Sequence, residues 1–416
     1  MIRSAGKTRR RAVTGGGSAL CLLAVVWLLP SCDGPSPHTK RQALLDDINT
    51  AIAKGIAFLE AQQSPDGAWR SQTYGFMRDG ITLTPHVLSA TIALPESMAT
   101  DSTQRGVDYL LAIDPTTAVL LQPVYTAAET SWVLRLAGHE QAADPWLDLI
   151  EAHQLTEQLG WPRTDARYGG WSYATTPPVY NPETLDLNRP DANISATVFG
   201  VGALKLAGRL SEQQAGAAVD FVELVQSGGM WFSPLDDARN KAGWVPSGLP
   251  DPVPLISPAV RRERSSGEEL TNFGFYHNAY GSPTADGVRI LLACGLTLND
   301  PRVLAARDWL VERFRADTVP GDFADGREAL RHGYYHYYAW SVSHALRRLG
   351  VTHAGADRDT PWADQLALAL IASQRADGAW RNPSTDGKED DPLIATPFAL
   401  SALAVCRNAL METPAE

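Results

Sequence analysis

Three segments that open apolar helical stretches in the second half of the chain are rich in groups that exchange protons. They are Tyr280-Gly281-Ser282-Pro283-Thr284-Ala285-Asp286, Arg331-His332-Gly333-Tyr334-Tyr335-His336-Tyr337-Tyr338 and Glu389-Asp390-Asp391. Carboxylates, an imidazole and phenol hydroxyls gathered at one rim can pass a proton or orient a polar ligand head. Asp286, His336, Asp390 and Asp391 are therefore the candidate catalytic groups, and Tyr280, Tyr334, Tyr337 and Glu389 the candidate ligand contacts. Earlier openings add Thr84-Pro85-His86 and Asp191-Ala192-Asn193. For Asp191, Asp390 and Asp391 an N-cap explains the residue equally well, because aspartate just before an apolar helix is the expected cap. Asp286 lies one turn further in, where a cap is a poorer explanation. The string GYYHYYAWSVSHAL crowds tyrosines, histidines and a tryptophan around one helix, so some of them must face inward. An aromatic lining suits an isoprenoid chain or a sugar face, while the alternative is that the tyrosines span a helix interface with their hydroxyls at the rim. His344, two turns inward from Tyr337, reads as a satisfied core histidine. No His/Cys/Asp spacing makes a metal site, and no cofactor is expected.

The elements that must position these groups are helices. Periodicity near 3.6 runs through segments at about 43–63, 82–94, 101–113, 118–137, 141–158, 192–208, 212–227, 281–295, 301–316, 331–349, 361–374 and 391–409, with no competing strand alternation. They fall into six consecutive pairs. First members carry large apolar residues, as in Phe58-Leu59, Tyr109-Leu110, Phe221-Val222 and Trp309-Leu310. Second members are richer in small ones, as in ISATVFGVGAL, PTADGVRILLACG and IATPFALSAL. Small residues let helices approach around a crowded centre, so the second members form an inner ring and the first members an outer one. The fold class expected is all-α, an (α/α)6 toroid. Connections from outer to inner helix are long, above all at about 159–191 and 227–280, and the return connections are short, so the long loops emerge at one end together with the inner-helix amino termini.

QSPDGAW at Gln63 to Trp69 returns as QRADGAW at Gln374 to Trp380. Gln63, Asp66, Gly67 and Trp69 and their counterparts Gln374, Asp377, Gly378 and Trp380 thus form a structural repeat at the two extremes of the domain. The glycine permits a left-handed turn after the outer helix, the aspartate bonds the turn backbone and the tryptophan staples neighbouring hairpins. Decayed copies stand at QSGGMW (Gln226 to Trp231), YGGW (Tyr168 to Trp171) and GDF (Gly321 to Phe323).

The string KGIAFLEAQQSPDGAW resembles the glutamine-tryptophan repeat of squalene and hopene cyclases and the related prenyltransferases, which implies their toroidal fold. Their catalytic motifs do not accompany it. The D-x-D-D string is missing, Asp236-Asp237 and Asp390-Asp391 being only adjacent pairs. The zinc aspartate, cysteine and histidine set of protein prenyltransferases is missing, since Asp286 and Cys294 stand eight apart on one helix. The thioester GCGEQ is also missing. YGGWSYATTPP, DANISATVFGVGAL, YGSPTADGVRILLACGL and KEDDPLIATPFALSAL look like bacterial secreted proteins known as prenyltransferase or squalene-oxidase repeat proteins, a group that implies no particular reaction.

Arg3, Lys7, Arg9, Arg10 and Arg11 precede an apolar run from Ala19 to Leu29, the pattern of an export signal. It closes on Leu29-Pro30-Ser31-Cys32, which resembles a bacterial lipobox and implies lipidation (palmitate) at Cys32. The expected organisation is a lipoprotein signal peptide at 1–31, a linker at 32–41 and the toroid at 42–412. Losing residues 1–31 removes five basic and no acidic side chains, which takes the formal charge from −11 to −16. So acidic a body argues against nucleic acid as a partner and leaves the membrane to be reached through the lipid at Cys32. Cys294 and Cys406 stand in apolar helices and read as buried thiols. Two function classes fit best: an exported toroid that binds an apolar or amphipathic ligand, such as an isoprenoid, in its central cavity, and a carbohydrate-active enzyme, a lyase or hydrolase on the same barrel, that meets a glycan with tyrosine, histidine and carboxylates at the loop-rich end. An interaction scaffold with a filled centre is a third.

Overall fold

The computed structural model describes residues 37–92, 94, 100–165, 167–181, 192–225, 280–321, 323 and 328–412. The signal peptide, Cys32, Asp191, Gln226 to Trp231, Asp236-Asp237 and nearly all of the 227–280 loop lie outside the described residues. Among those described, the chain forms helices α1 (Pro37–Ala61), α2 (Leu83–Thr91), α3 (Asp101–Leu111), α4 (Pro123–Leu136), α5 (Glu140–Ala152), α6 (Ile194–Leu206) and α7 (Glu212–Val225). After the long loop follow α8 (Gly281–Ala293), α9 (Pro301–Arg313), the single turn α10 (Leu330–Gly333), α11 (Tyr335–Arg348), α12 (Trp362–Ser373) and α13 (Pro392–Glu412). The one sheet is a two-residue antiparallel pair, β1 (Trp171–Ser172) with β2 (Ala192–Asn193).

Helix contacts close a ring. The inner helices touch in the order α2, α4, α6, α8, α11, α13 and back to α2, while α3, α5, α7, α9 and α12 pack outside them. Helix α1 completes the outer layer by packing on α13 and α12, the last hairpin. The fold is therefore the expected toroid of six hairpins. Boundaries differ from periodicity where proline or a break intervenes. Helix α1 begins at Pro37 rather than after a linker ending at 41, and α4 begins at Pro123, because proline suits the first turn, where no amide partner is needed. The stretch read as one helix over 331–349 is broken at Tyr334, whose backbone (φ −127, ψ 31) leaves the helical region.

The repeat holds this ring together with one hydrogen-bond scheme used three times. Trp69, Trp171 and Trp380 each donate the indole N–H to a carbonyl near the end of the preceding outer helix, to Leu59 (2.6 Å), Ile150 (2.8 Å) and Leu370 (2.8 Å). Each also donates its backbone N–H to a threonine hydroxyl in the inner helix that follows, to Thr84 (3.0 Å), Thr197 (3.1 Å) and Thr396 (3.1 Å). The glutamines reach the next outer helix. Gln63 bonds Ser102 O (2.8 Å), Gln154 bonds Gln214 O (3.0 Å) and Gln374 bonds Ala51 O (2.8 Å). Asp66 and Asp377 accept the N–H two residues on, Ala68 at 3.3 Å and Ala379 at 3.1 Å. Gly169 and Gly378 are required twice over. Both have φ +88, and a Cβ would lie 1.8 Å from Ala217 O and 2.4 Å from Lys54 O on the next outer helix. Gly67 meets Arg105 in the same way. Cys406 is buried, Cys294 is only partly buried, and both are free thiols.

Candidate functional site

Residues near the start of each inner helix, Leu83, Tyr125, Ser195, Ser282, Tyr337 and Ile394, line one cavity, so the amino termini share one end of the ring. There they enclose an axial chamber of 630 Å³. Its wall takes Leu83 and His86 from α2, Tyr125 and Glu129 from α4, Ser195 and Phe199 from α6, Asp286 from α8, Tyr337 from α11 and Phe398 from α13, with Tyr280, Tyr334 and Glu389 at helix entries.

Asp286 is buried in this wall at 1% exposure, as is Glu389. Its Oδ2 accepts the Tyr337 hydroxyl at 2.6 Å, its Oδ1 accepts the Ser341 hydroxyl, and Arg289 Nη1 stands 3.4 Å away, one helical turn on. Burial raises its pKa from 3.8 to about 6, against the opposing pull of Arg289, Ser341 and Tyr337. Burial likewise pushes the Tyr337 and Tyr280 hydroxyls well above the ordinary phenol range, so both are neutral at pH 7. A carboxyl raised on folding contributes stability that is present below about pH 4 and lost as pH rises through about 6. Asp286→Asn lacks that loss. The variant's stability relative to the parent is therefore expected to rise between pH 4 and 7, which denaturant unfolding at a series of pH values measures; a difference independent of pH would show the carboxyl to be ionised throughout.

The other sequence candidates divide. Tyr280, Tyr334, Tyr337 and Glu389 line the chamber, whereas His336, Asp390 and Asp391 are absent from its wall. Glu389 starts α11: its carboxylate accepts the backbone N–H groups of His336 (2.9 Å) and Tyr337 (2.8 Å), together with His336 Nδ1 (2.8 Å) and Asn382 Nδ2 (2.6 Å). His336 is thereby committed to a buried pair under the helix start. Asp391 caps α13 by accepting Leu393 N–H at 2.9 Å and also takes the Ser71 hydroxyl. Asp390 accepts the Tyr74 hydroxyl at 2.5 Å.

A second polar pair in this wall joins His86, which the sequence places at a helix opening, to Glu129, which the sequence did not single out. His86 Nδ1 lies 2.8 Å from Glu129 Oε1 and its Nε2 3.1 Å from the Ile394 carbonyl, so both ring nitrogens face acceptors. Burial opposes charge on the ring, but Glu129 and the Ile394 carbonyl outweigh it and His86 ends above its ordinary pKa. The signal available was a glutamate on the apolar helix PVYTAAETSWVLRL, which folding into a ring sets at the depth of His86.

Below that pair the bore narrows to an aromatic waist. Phe199 stacks on Trp340 with centroids 5.3 Å apart, Trp340 meets Phe398 at 5.5 Å, Phe398 meets His86 at 4.5 Å, and Tyr125 closes on Phe199 at 4.7 Å. Beyond the waist a second chamber of 260 Å³ lies among the carboxyl-terminal turns of the inner helices, with His86, Glu129, Phe199 and Phe398 common to both walls. Among the described residues no cluster of His, Cys, Asp and Glu could hold a metal ion.

No protein-family model matches the chain, and no curated protein does. Solved structures do. A variant of the type II terpene cyclase MstE from Scytonema superposes with a TM-score of 0.50 at 13% identity over 89% of this chain and 99% of that one. Another variant of that enzyme, in complex with the product merosterolic acid A, gives 0.50 at 14% identity over the same shares. The likeness is one of fold. The GH76A α-1,6-mannanase from Salegentibacter sp. HEL1_6 is similar at 10% identity and a TM-score of 0.46, over 88% of this chain and 99% of that one.

Proposed function

We propose that this chain is an exported, lipid-anchored toroid that takes an isoprenoid or similarly amphipathic apolar chain into the chamber at the amino-terminal end of its inner helices. The observation that carries this reading is the composition of the bore. The chamber ends on packed aromatic rings, and its buried carboxylates are already held by protein partners, Glu389 by four donors, Glu129 by His86, and Asp286 by Tyr337, Ser341 and Arg289, with burial raising the Asp286 pKa to about 6. The chamber is polar at its rim and aromatic at its floor, and a site for an amphipathic ligand pairs apolar walls with polar groups placed to hold the head. A glycosidase instead needs two carboxyls working as acid and base or nucleophile. The type II terpene cyclase of the same fold, solved in complex with its product merosterolic acid A, is consistent with this use of the bore. In that role the Tyr337–Asp286 pair would bind the polar end of the ligand, and the rings of Phe199, Trp340 and Phe398 would pack against its chain.

Trp340 lines the waist, so a titration with geranylgeraniol should quench tryptophan fluorescence with saturation, and Phe398→Asp should weaken binding at least tenfold by placing a charge in the bore. A linear, unsaturable response identical in the variant would refute the reading. Anchoring is tested separately: wild type should partition into detergent and Cys32→Ser into the aqueous phase, and unchanged partitioning of the variant would exclude the anchor.

A further inference from the structure

The second chamber differs from the first in charge. Its wall is apolar over Trp132, Val198, Phe199, Leu206, Trp340 and Phe398, yet it also carries Lys205, Arg289 and Arg348. Its one carboxylate, Glu129, is bound to His86. His344, in the same wall, is pushed down to about 3 by burial and by Arg289, Arg348 and Arg347, so it is a neutral ring at physiological pH.

Two of the cations have a simpler use. Lys205 and Arg348 stand in the last turns of α6 and α11, where a positive charge complements the helix dipole. Arg289 has no such explanation: it lies within α8, its guanidinium carbon sits 4.0 Å over the Trp340 ring, and burial lowers its pKa against the pull of Asp286. Both of its hydrogen bonds, to Asp286 and Ser341, are made by Nη1, and the residue lines the chamber. Lys205 and Arg348 are exposed, and neither has a hydrogen-bond or ion-pair partner among the described residues. Three cations around an apolar hollow, with the local carboxylates already engaged, form a complement to an anion that brings its own hydrophobic body.

We infer that the chamber at the carboxyl-terminal end of the inner helices is a separate binding site for an anionic amphiphile, whose phosphate or carboxylate head meets Arg289, Lys205 and Arg348 while its chain packs against Trp132, Leu206 and Phe398. This site does not depend on what occupies the chamber across the waist. Both head groups share one chemistry, a compact anion able to take two parallel N–H donors.

Calorimetric titration of the full protein with dodecyl phosphate, oleate, dodecanol and inorganic phosphate, below the micellar range, tests this directly. The two anionic amphiphiles should bind at least tenfold more tightly than dodecanol and than inorganic phosphate, and more weakly as salt is raised. Which of the two binds better tells phosphate from carboxylate. Lys205→Glu/Arg348→Glu changes only exposed rim residues and should fold; it should cost dodecyl phosphate at least tenfold in affinity while leaving geranylgeraniol binding intact. Equal binding of dodecanol, equal binding of inorganic phosphate, or unchanged affinity in the reversed-charge variant would each overturn the inference. Because geranylgeraniol is measured in the same variant, failure here is distinguishable from failure of the ligand reading for the first chamber.

Discussion

Trp380→Ala is expected to destabilise the protein by about 3–5 kcal/mol, the range found when a large buried aromatic is truncated in a core. Trp380 is fully buried and joins three elements at once: the Leu370 carbonyl at the end of α12, Thr396 in α13, and through the adjoining Gly378 and Gln374 the backbone of α1. Truncation removes the ring and the indole donor together and leaves a cavity at the seam where the last hairpin meets the first. Trp69→Ala should cost a similar amount but act between hairpins adjacent in sequence. Chemical denaturation followed by circular dichroism measures both, and an unchanged midpoint for Trp380→Ala would show that the seam is held by other contacts.

Glu389→Ala should cost about 3–5 kcal/mol as well, by a different route. Removing the acceptor of a buried hydrogen-bond network strands the remaining groups in a medium that cannot solvate them. Here the stranded groups are two backbone amides at the start of α11, the His336 imidazole and the Asn382 amide. Glu389→Gln keeps the volume and one acceptor oxygen, so it should fall between. Because Tyr337 is set by the same helix start and bonds Asp286, the alanine variant should also lose affinity for geranylgeraniol. A variant with normal stability and no ligand binding would instead place Glu389 in direct contact with ligand.

The ring itself was legible in the sequence because periodicity, small inner residues and a repeated QxxDGAW string all report local events: a helix face, a close approach, a turn. Gln154 was not legible as the third copy's glutamine, since an inserted turn separates it from Gly169 and Trp171. The threonines that accept the tryptophan amides were hidden for the related reason that they stand 15 or 16 residues on, in the next helix, for Trp69 and Trp380. At the candidate site, residue type pointed to the correct rim but not to the partner. Helix-opening Asp391 caps its helix and Glu389 caps another, both outcomes that local sequence allows, whereas Asp286 stood out by lying too far into α8 to cap it. The His86–Glu129 pair joins the neighbouring inner helices α2 and α4, and a contact between helices leaves no trace within either one.

The seam also sets an order of events in synthesis. Gln374 meets Ala51 across 323 residues, and Arg407 meets Asn49 across 358, so α1 emerges from the ribosome long before its partners exist. Until α12 and α13 are released, the nascent chain is an open arc with the apolar side of α1 uncovered, the kind of exposed surface that chaperones hold and that aggregation exploits. A chain cut before Trp362 should therefore be insoluble rather than a smaller version of the same protein. The two ends of the finished domain, meanwhile, lie side by side, so a permuted gene that joins them and opens the loop between Gly208 and Glu212 should yield the same ring with a different birth order.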